Sequence, residues 1–266
     1  MIYRPPEGSK EEVRDFWNRN VCQADLPGSE IGTREFFDEV ETIRYRYHYH
    51  LQPLFRKIRK AVGENGRLLE VGCGMGTDLI QLARMGIPTT GVDLTQSGIE
   101  MAKGRFELFD LEAELKVADA ENLPFEDETF DVVYSFGVLH HTPDTKKAIS
   151  ETQRVLKPGG KAFIMLYYKP SLNYLAHWIT GVPFDGSKKD KCPVERAYTK
   201  GEIRKLFDMY DEVHIDIDYL FGTGWGLLNT ITPNFIHRTL GKFFGWHAMI
   251  EANKNPQSLT ENTQSS

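Results

Sequence analysis

The chain has 266 residues, of which 40% are hydrophobic and 26% are charged, a balance typical of folded globular proteins rather than disordered ones. This length provides for one large domain or two small ones with a complete hydrophobic core. Acidic residues outnumber basic ones by 38 to 32. The resulting net charge of -6 argues against a nucleic-acid partner, because phosphates attract clustered positive charge.

The cysteines and the apolar runs indicate the class of protein. Cys22, Cys73 and Cys192 are widely spaced, odd in number and match no metal-ligand pattern. The first residues lack the apolar core of a signal peptide, and the longest apolar run, Ala162–Tyr168, is too short to span a bilayer. We expect a cytoplasmic protein without stable membrane insertion. The segment Phe243–Trp246 leaves a peripheral membrane contact open.

The first part of the chain has the periodicity of helices. Apolar residues recur at helical spacing in Thr33–Tyr47 and in Leu51–Val62. We expect residues 1–62 to form a helical cap that precedes the main domain.

Short apolar strands then alternate with helices. Thr95 is a capping residue ahead of apolar helical positions, and Thr142 precedes a proline and a second helical pattern. This alternation predicts a parallel sheet with helices on both faces, in a core domain of residues 63–169. The predicted strands are Leu68–Val71, Pro88–Val92, Leu115–Val117, Phe130–Ser135 and Ala162–Tyr168.

The alternation ends after Lys169. A segment that mixes aromatic residues with glycine, proline and lysine follows, and then a capping box at Thr199 and two apolar segments, Glu212–Tyr219 and Gly245–Ala252, that predict late strands. The expected units are a substrate-side insertion (170–198), a C-terminal helix with the last strands (199–254) and a flexible tail (255–266).

The segment Glu70–Asp78, EVGCGMGTD, joins a predicted strand to a predicted helix through three alternating glycines. Glycines allow a tight turn and a close approach of the backbone to a ligand, and a helix start offers free N–H groups. The spacing GxGxG, with Glu70 ahead of the first glycine, differs from the GxGxxG of dinucleotide-binding domains. The loop predicts a ligand site, with an ordinary tight strand–helix turn as the alternative.

Two acidic residues follow at the ends of later predicted strands. Asp93 ends the second strand, where a carboxylate can accept hydrogen bonds from a ribose diol. The alternative for Asp93 is a charge at the start of the helix that Thr95 caps. Asp119 ends the third strand and precedes an apolar loop, which together could hold an adenine by its amino group and its face.

Six short segments occur in order: EVGCGMG, GVDL, DAENLPF, FDVVYS, LHH and RVLKPGG. This ordered set resembles the class I S-adenosylmethionine (AdoMet)-dependent methyltransferases, and more narrowly the subgroup that includes the ubiquinone and menaquinone biosynthesis methyltransferases. The resemblance implies an α/β fold with a Rossmann-like, seven-stranded, mostly parallel sheet whose last strand is antiparallel. It also implies helices on both faces, an N-terminal helical lid and AdoMet as the cofactor.

The resemblance further implies which residues bind the cofactor. Each matches a family position within one of the segments above, except Tyr45, which together with Arg44 resembles more weakly an Arg-Tyr pair of a covering helix. The implied contacts are Glu70, Gly72, Gly74 and Gly76 around the methionine part, Asp93 at the ribose, Leu94, Asp119 and Ala120 at the adenine, and Ser135 and Val138 facing the sulfonium.

His140 lies just beyond the predicted fourth strand, where an acceptor would meet the methyl group. Imidazole, with an ordinary pKa of about 6.5, is suited to remove a proton at neutral pH, so His140 is the candidate general base. Alternatively, His140 and His141 cap the following helix without proton chemistry. No third ligand lies nearby in the sequence, and we expect no metal site.

Aromatic residues with polar tips lie outside the common core and predict a pocket for an apolar or aromatic acceptor. A hydrophobic core for the inserted segment explains the same residues and is the alternative. The candidate substrate-binding residues are Tyr49, His141, Tyr168, Tyr174, Trp178 and Tyr198.

These patterns predict an AdoMet-dependent methyltransferase whose partner is a small-molecule acceptor, methylated on oxygen, carbon or sulfur. A thiol methyltransferase would need no general base. A non-catalytic AdoMet-binding protein is the alternative from another class. An NAD-dependent redox enzyme is disfavoured by the glycine spacing and by the lack of a second nucleotide-binding half after Lys169. We expect a monomer or a homodimer.

Overall fold

A mixed β-sheet lies at the centre of the computed structural model, which describes residues 7–25, 27–187, 189–221 and 225–256. Its strands are β1 (Leu68–Val71), β2 (Thr89–Asp93), β3 (Glu114–Val117), β4 (Phe130–Phe136), β5 (Leu156–Tyr168), β6 (Ala197–Tyr198), β7 (Glu212–Asp218) and β8 (His247–Asn253).

Seven of these strands lie side by side in the order β3-β2-β1-β4-β5-β8-β7. The pairs from β3 to β5 are parallel, and β8 runs antiparallel to both β5 and β7. The two-residue β6 is an addition that pairs in parallel with the end of β5. The expected Rossmann-like sheet with an antiparallel last strand is confirmed.

Helices cover both faces of this sheet. Ala148 and Phe207 pack with one set of buried apolar side chains, and Phe55, Ile80 and Ile99 pack with a second set. None of the helices in the described ranges combines the length and the apolar character needed to span a bilayer. The helices are α1 (Lys10–Arg19), α2 (Arg34–Tyr47), α3 (Leu51–Val62), α4 (Leu79–Arg84), α5 (Gln96–Leu108), α6 (Thr145–Val155), α7 (Leu172–Thr180), α8 (Lys200–Leu206), α9 (Leu227–Ile231) and α10 (Asn234–Phe244).

Two predicted caps begin helices as expected. The Thr95 side chain accepts a hydrogen bond from the backbone of Gly98 in α5. Thr199 and Glu202 form the predicted capping box of α8. These caps satisfy N–H groups that have no partner inside the helix, and they fix where each helix leaves the sheet.

Two boundaries differ from the predicted ones. α6 begins after Asp144 rather than at Thr142. Asp144 caps this helix, since its Oδ1 accepts a hydrogen bond from Lys147 N at 2.9 Å. β5 begins at Leu156 rather than at the predicted Ala162, and it continues through the Pro-Gly-Gly segment. Two hydrogen bonds extend the pairing of β5 beyond the end of β8. Gly159 N donates to Lys254 O, and Lys254 N donates to Gly160 O.

α1 lies within the expected helical cap, whereas α7 lies where no helix was predicted. α1 begins with a capping box between Ser9 and Glu12 and buries Val13 and Phe16. α7 lies inside the expected insertion, and Ser171 caps it. The expected domain boundaries stay predictions, and residues 257–266 of the expected tail lie outside the described residues.

Candidate functional site

The glycine loop lies where the strand order of the sheet reverses. β1 pairs with β2 on one side and with β4 on the other. Ligands of open α/β sheets bind at such a switch point, beyond the carboxyl ends of the strands. After β1 the backbone N–H groups of Gly72 and Cys73 both donate to Val92 O, at 2.7 and 2.9 Å, which anchors the loop to β2.

Two glycines of the loop are needed for different reasons. Gly72 has a φ of +79°, and a Cβ there would lie 2.2 Å from Val138 Cγ2, so no larger residue fits. Gly74 has a φ of +50°, and a Cβ there would meet no atom within 4 Å. Gly74 therefore leaves open space that a ligand can occupy.

A cavity with about 1130 Å³ of empty space, its open mouth included, lies beyond this loop. Nine of the residues singled out in the sequence line it, whereas Tyr45, Gly76, Ser135 and His140 do not. The nine are Glu70, Gly72, Gly74, Asp93, Leu94, Asp119, Ala120, Val138 and His141.

Asp93 holds the loop and the next helix together. Its Oδ2 accepts a hydrogen bond from Gly74 N at 2.8 Å, and its Oδ1 accepts from Thr95 N and Oγ1 at 2.9 and 2.6 Å. Burial raises the pKa of the Asp93 carboxyl against the effect of these hydrogen bonds. A carboxylate has about four lone-pair positions, so one more donor can be accepted at the cavity.

Glu70 lines the cavity and has one unpaired carboxylate oxygen. Its side chain is 4% exposed, and its Oε2 has no hydrogen-bond partner among the described residues. Burial, together with the negative charges of Asp78 and Asp93, raises the pKa of Glu70 well above its usual value. A buried unpaired carboxylate is costly, so this oxygen is suited to receive a cationic or hydrogen-bonding group of a ligand.

Asp119 is paired within the protein. Lys10 of α1 makes ion pairs with Asp119 and, at 2.9 Å, with Glu121. The Asp119 Oδ1 also accepts a hydrogen bond from Glu121 N. Lys10 itself lines the cavity, so α1 closes the end of the site where the adenine edge was expected.

Tyr45 does not line the cavity but contacts residues that do. Its hydroxyl contacts Thr77 O at 2.9 Å and Asp78 Oδ1 at 3.0 Å, and Arg44 forms an ion pair with the same carboxylate. Although burial acts to raise it, Arg44 and the hydroxyls of Tyr45 and Tyr134 hold the pKa of Asp78 below its ordinary value. Arg44 and Asp78 line the cavity, whereas Tyr45 fixes their positions.

α1 and the turn after it form the lid of the cavity. The sequence interpretation missed this set, although the capping box at Ser9 and the apolar spacing of Val13 and Phe16 were available signals. α2 instead packs on the core through Phe36 and Val40. The N-terminal residues that line the cavity are Lys10, Val13, Trp17, Val21, Cys22, Gln23 and Arg44.

His140 is fully buried, and its ring lies 3.9 Å from that of Tyr167 between ring centroids. Neither ring nitrogen has a hydrogen-bond partner among the described residues. Burial and the neighbouring His141 lower the pKa of His140 well below its ordinary value. His140 does not line the cavity. Its role as a base stays a prediction, without a geometric contact to support it.

His141 does line the cavity, but its nitrogens face the protein. Its Nδ1 lies 2.7 Å from Val194 O, and its Nε2 lies 3.5 Å from Asp185 Oδ2. Burial lowers the pKa of His141, against the negative charge of Asp185. The Trp17 ring of the lid packs edge-on to this imidazole, with 5.3 Å between ring centroids. His141 therefore acts as a wall that meets the lid.

Two of the tyrosines expected to bind the acceptor have polar partners elsewhere. The Tyr49 hydroxyl donates to Asp218 Oδ1 at 2.8 Å, at the end of β7. The Tyr198 hydroxyl donates to Thr145 Oγ1 at 2.9 Å, at the start of α6. Neither side chain lines the cavity.

The other three aromatic candidates are also separate from the cavity. Tyr168 packs against the core on the α6 side of the sheet, and Tyr174 contacts the ring of Phe184. Trp178 is 43% exposed on α7. The structure thus does not bring the five aromatic residues together, and their role in acceptor binding stays a prediction. Among the described residues, no group of three His, Cys, Asp or Glu side chains could hold a metal ion.

Residues 69–164 match a family model described as a methyltransferase domain. Sterol 4-C-methyltransferase strm-1 of Caenorhabditis elegans is 37% identical over 105 residues, which are 39% of this chain and 31% of the relative. Phthiotriol/phenolphthiotriol dimycocerosates methyltransferase 1 of Mycobacterium ulcerans is 42% identical over 116 residues, which are 42% of this chain and 41% of the relative. The match thus spans less than half of either relative.

Solved structures share the fold. A SAM-dependent methyltransferase of Thermotoga maritima, described as a possible histamine N-methyltransferase, has a TM-score of 0.61 and is 19% identical. The alignment covers 91% of this chain and 100% of that one. The narrower resemblance to the ubiquinone and menaquinone subgroup stays a prediction.

Proposed function

We propose that this chain, which carries a class I AdoMet-dependent methyltransferase domain, transfers a methyl group from AdoMet to a small apolar acceptor. The observation that carries the proposal is the cavity at the switch point of the sheet. There Gly74 leaves open space, and Glu70, whose Oε2 has no partner among the described residues, lines the cavity. The donor set fits an amino acid joined to a nucleoside, because Glu70 can receive an ammonium group and Asp93 a hydroxyl.

Transfer requires alignment and the exclusion of water more than acid–base chemistry. When bound, AdoMet supplies an electrophilic methyl group on a sulfonium centre. The glycine loop and Asp93 would hold the cofactor in a fixed position, and the close packing of Gly72 against Val138 keeps that loop rigid. Lys10, Val13 and Trp17 of the lid helix α1 line the cavity, so α1 would shield a bound cofactor from water.

The apolar character of the acceptor is supported by the wall of the cavity. Val13, Trp17 and Val21 of the lid face the cavity together with Phe136 and Val138 at the end of β4. The names of the two relatives above indicate sterol and dimycocerosate acceptors, which are apolar. The methylated atom, the cytoplasmic location and the choice between monomer and homodimer stay predictions.

Glu70→Gln tests the cofactor site through two measurements, AdoMet affinity and melting temperature, which should change in opposite directions. We expect AdoMet affinity to fall roughly 10- to 100-fold, because the charge-assisted contact with the ammonium group is lost. The melting temperature of the ligand-free protein should rise, because glutamine places no charge at the buried position. Calorimetry with AdoMet and S-adenosylhomocysteine, with NAD as the comparison ligand, measures the first change.

The control variant is Glu107→Gln, on the exposed face of α5. It removes the same charge without touching the cavity, and it should leave both readouts unchanged. An unchanged AdoMet affinity in Glu70→Gln would contradict the assignment, as would binding of NAD in place of AdoMet.

The rate of methyl transfer is expected to stay constant between about pH 6 and pH 8.5. Burial lowers the pKa of both His140 and His141, so both rings favour the neutral form over this range. The measurement is kcat against pH with saturating AdoMet, for the wild type and for His140→Gln. A limb centred near pH 6.5 that disappears in His140→Gln would restore the base role, whereas a limb present in both proteins belongs to the acceptor.

A further inference from the structure

Large apolar side chains are exposed on α7 and on α9 and α10. Ile179, Phe235 and Phe243 are 67%, 70% and 66% exposed. Of the exposed large apolar residues in the described part of the chain, all but Ile31, Leu108 and Val117 lie in this region. We call it the apolar face, and its residues are Leu175, Trp178, Ile179, Val182, Leu228, Ile231, Phe235, Leu240, Phe243 and Phe244.

The helices of the apolar face are held at one edge of the sheet. α7 follows the carboxyl end of β5, and α10 packs against β7, which runs parallel to β5. The Asn173 side chain of α7 donates to Leu220 O at 2.9 Å and accepts from Trp225 Nε1 at 2.7 Å. The cavity lies beyond the carboxyl ends of the same parallel strands, so the apolar face and the cavity share this edge.

α10 is fixed with its apolar side chains outward. A Cβ at Gly245 would lie 2.1 Å from Asp218 O, and one at Gly241 would lie 3.4 Å from the Asp218 side chain. The missing side chains therefore allow α10 to approach the end of β7 closely, and His237 is buried on that side. Phe235 and Phe243 have no covering segment among the described residues.

The charge of this region is the opposite of that of the whole chain. The chain has 38 acidic residues, yet none lies between Tyr219 and Ile250. Residues 170–184, which include α7, contain no charged residue. The cations Arg238 and Lys242 lie one helical turn apart on the exposed side of α10.

We propose that the apolar face docks on the surface of a lipid bilayer that contains anionic lipids. Separate aromatic side chains that project beside two cations match an interfacial helix, whose rings enter the headgroup boundary while lysine and arginine contact lipid phosphates. A protein partner would instead be met by a close-packed apolar patch with a polar rim. The docking itself does not depend on the proposed function. Its purpose does, because an apolar acceptor dissolved in lipid would reach the cavity from this edge.

Sedimentation with vesicles tests the docking. The full chain is mixed with vesicles of phosphatidylcholine alone or of equal parts phosphatidylcholine and phosphatidylglycerol, at low and high salt. We expect binding to the anionic vesicles that weakens with salt. Phe235→Ser/Phe243→Ser should lower the partition at least about tenfold, and Arg238→Gln/Lys242→Gln should remove the salt dependence.

The control variant, Leu108→Ser/Val117→Ser, removes two exposed apolar side chains elsewhere and should bind vesicles as the wild type does. Absence of vesicle binding by the wild type, or equal binding by Phe235→Ser/Phe243→Ser, would overturn the proposal. If the wild type is a dimer that does not bind vesicles, and Phe235→Ser/Phe243→Ser is a monomer, then a second copy of the chain covers the apolar face instead. Calorimetry with S-adenosylhomocysteine on the same proteins reports on the proposed function separately, so either claim can fail alone.

Discussion

Gly74→Val is expected to weaken AdoMet binding at least about 100-fold, which corresponds to about 2.7 kcal/mol. The Gly74 backbone lines the cavity, and the space in front of its Cα is open. A branched side chain there would occupy the volume that the cofactor needs. Calorimetric titration with AdoMet and with S-adenosylhomocysteine measures the loss.

The variant also carries backbone strain, because valine disfavours the φ of +50° at this position. Gly86→Val is the matched control: Gly86 has a φ of +73°, a Cβ there meets nothing within 4 Å, and the residue does not line the cavity. Both variants should lose a similar amount of stability, about 1–2 kcal/mol. Equal loss of binding in both would show that strain, not the cavity, causes the effect, and full binding by Gly74→Val would refute the site.

Lowering the pH from about 7.5 to about 5 is expected to reduce the stability of the fold by roughly 3–5 kcal/mol. Burial lowers the pKa of His48 to about 3 and that of His50 to about 4. Burial and these two neighbours lower the pKa of His247 well below its ordinary value. The three rings form one cluster, in which His247 stacks on Tyr219 with 4.2 Å between centroids.

Stability falls in acid because the unfolded chain binds more protons than the fold does. Each of these histidines, and likewise His140 and His141, is protonated in the unfolded chain and neutral in the fold between the two pKa values. Their contribution is therefore complete above about pH 6.5 and falls as the pH falls toward the folded value. Burial acts oppositely on carboxyls: it raises the pKa of Glu195 to about 7 and also raises the pKa values of Glu70 and Asp93. These groups offset part of the loss in acid.

Thermal unfolding followed by circular dichroism at several pH values measures this effect. His247→Phe keeps an aromatic ring in the stack and removes one titrating group, so it should flatten the profile by roughly 2 kcal/mol at pH 5. His214→Gln is the comparison variant, because it removes an exposed imidazole that lies outside this cluster. A melting temperature that does not change between pH 7.5 and pH 5 would contradict the account of the buried histidines.

The central sheet and the glycine loop could be predicted because their signals are local. Leu68–Val71 is a short apolar run followed at once by alternating glycines, and Thr95 is a cap ahead of an apolar helix. Apolar strands alternate with helices over this part of the chain, so their parallel pairing follows from short-range pattern, whereas the antiparallel last strand was implied by the resemblance. Of the eleven residues that the resemblance implied around the cofactor, eight line the cavity.

The lid and the acceptor side could not be predicted in the same way, because they depend on contacts between distant residues. Lys10 pairs with Asp119, and Tyr49 donates to Asp218, across separations that no periodicity reveals. An aromatic residue in a sequence has the same appearance whether it lines a cavity, stacks in the core or projects from a helix as Trp178 does.

The most direct test of the central claim is transfer of label from methyl-labelled AdoMet into lipid and phenolic acceptors, followed by organic extraction and mass spectrometry. The account predicts an extractable product that is heavier by one methylene group, formed by the wild type and by Gly86→Val but not by Gly74→Val. Tight binding of AdoMet with no labelled product from any apolar acceptor would contradict it, and would indicate a protein that binds the cofactor without transferring its methyl group.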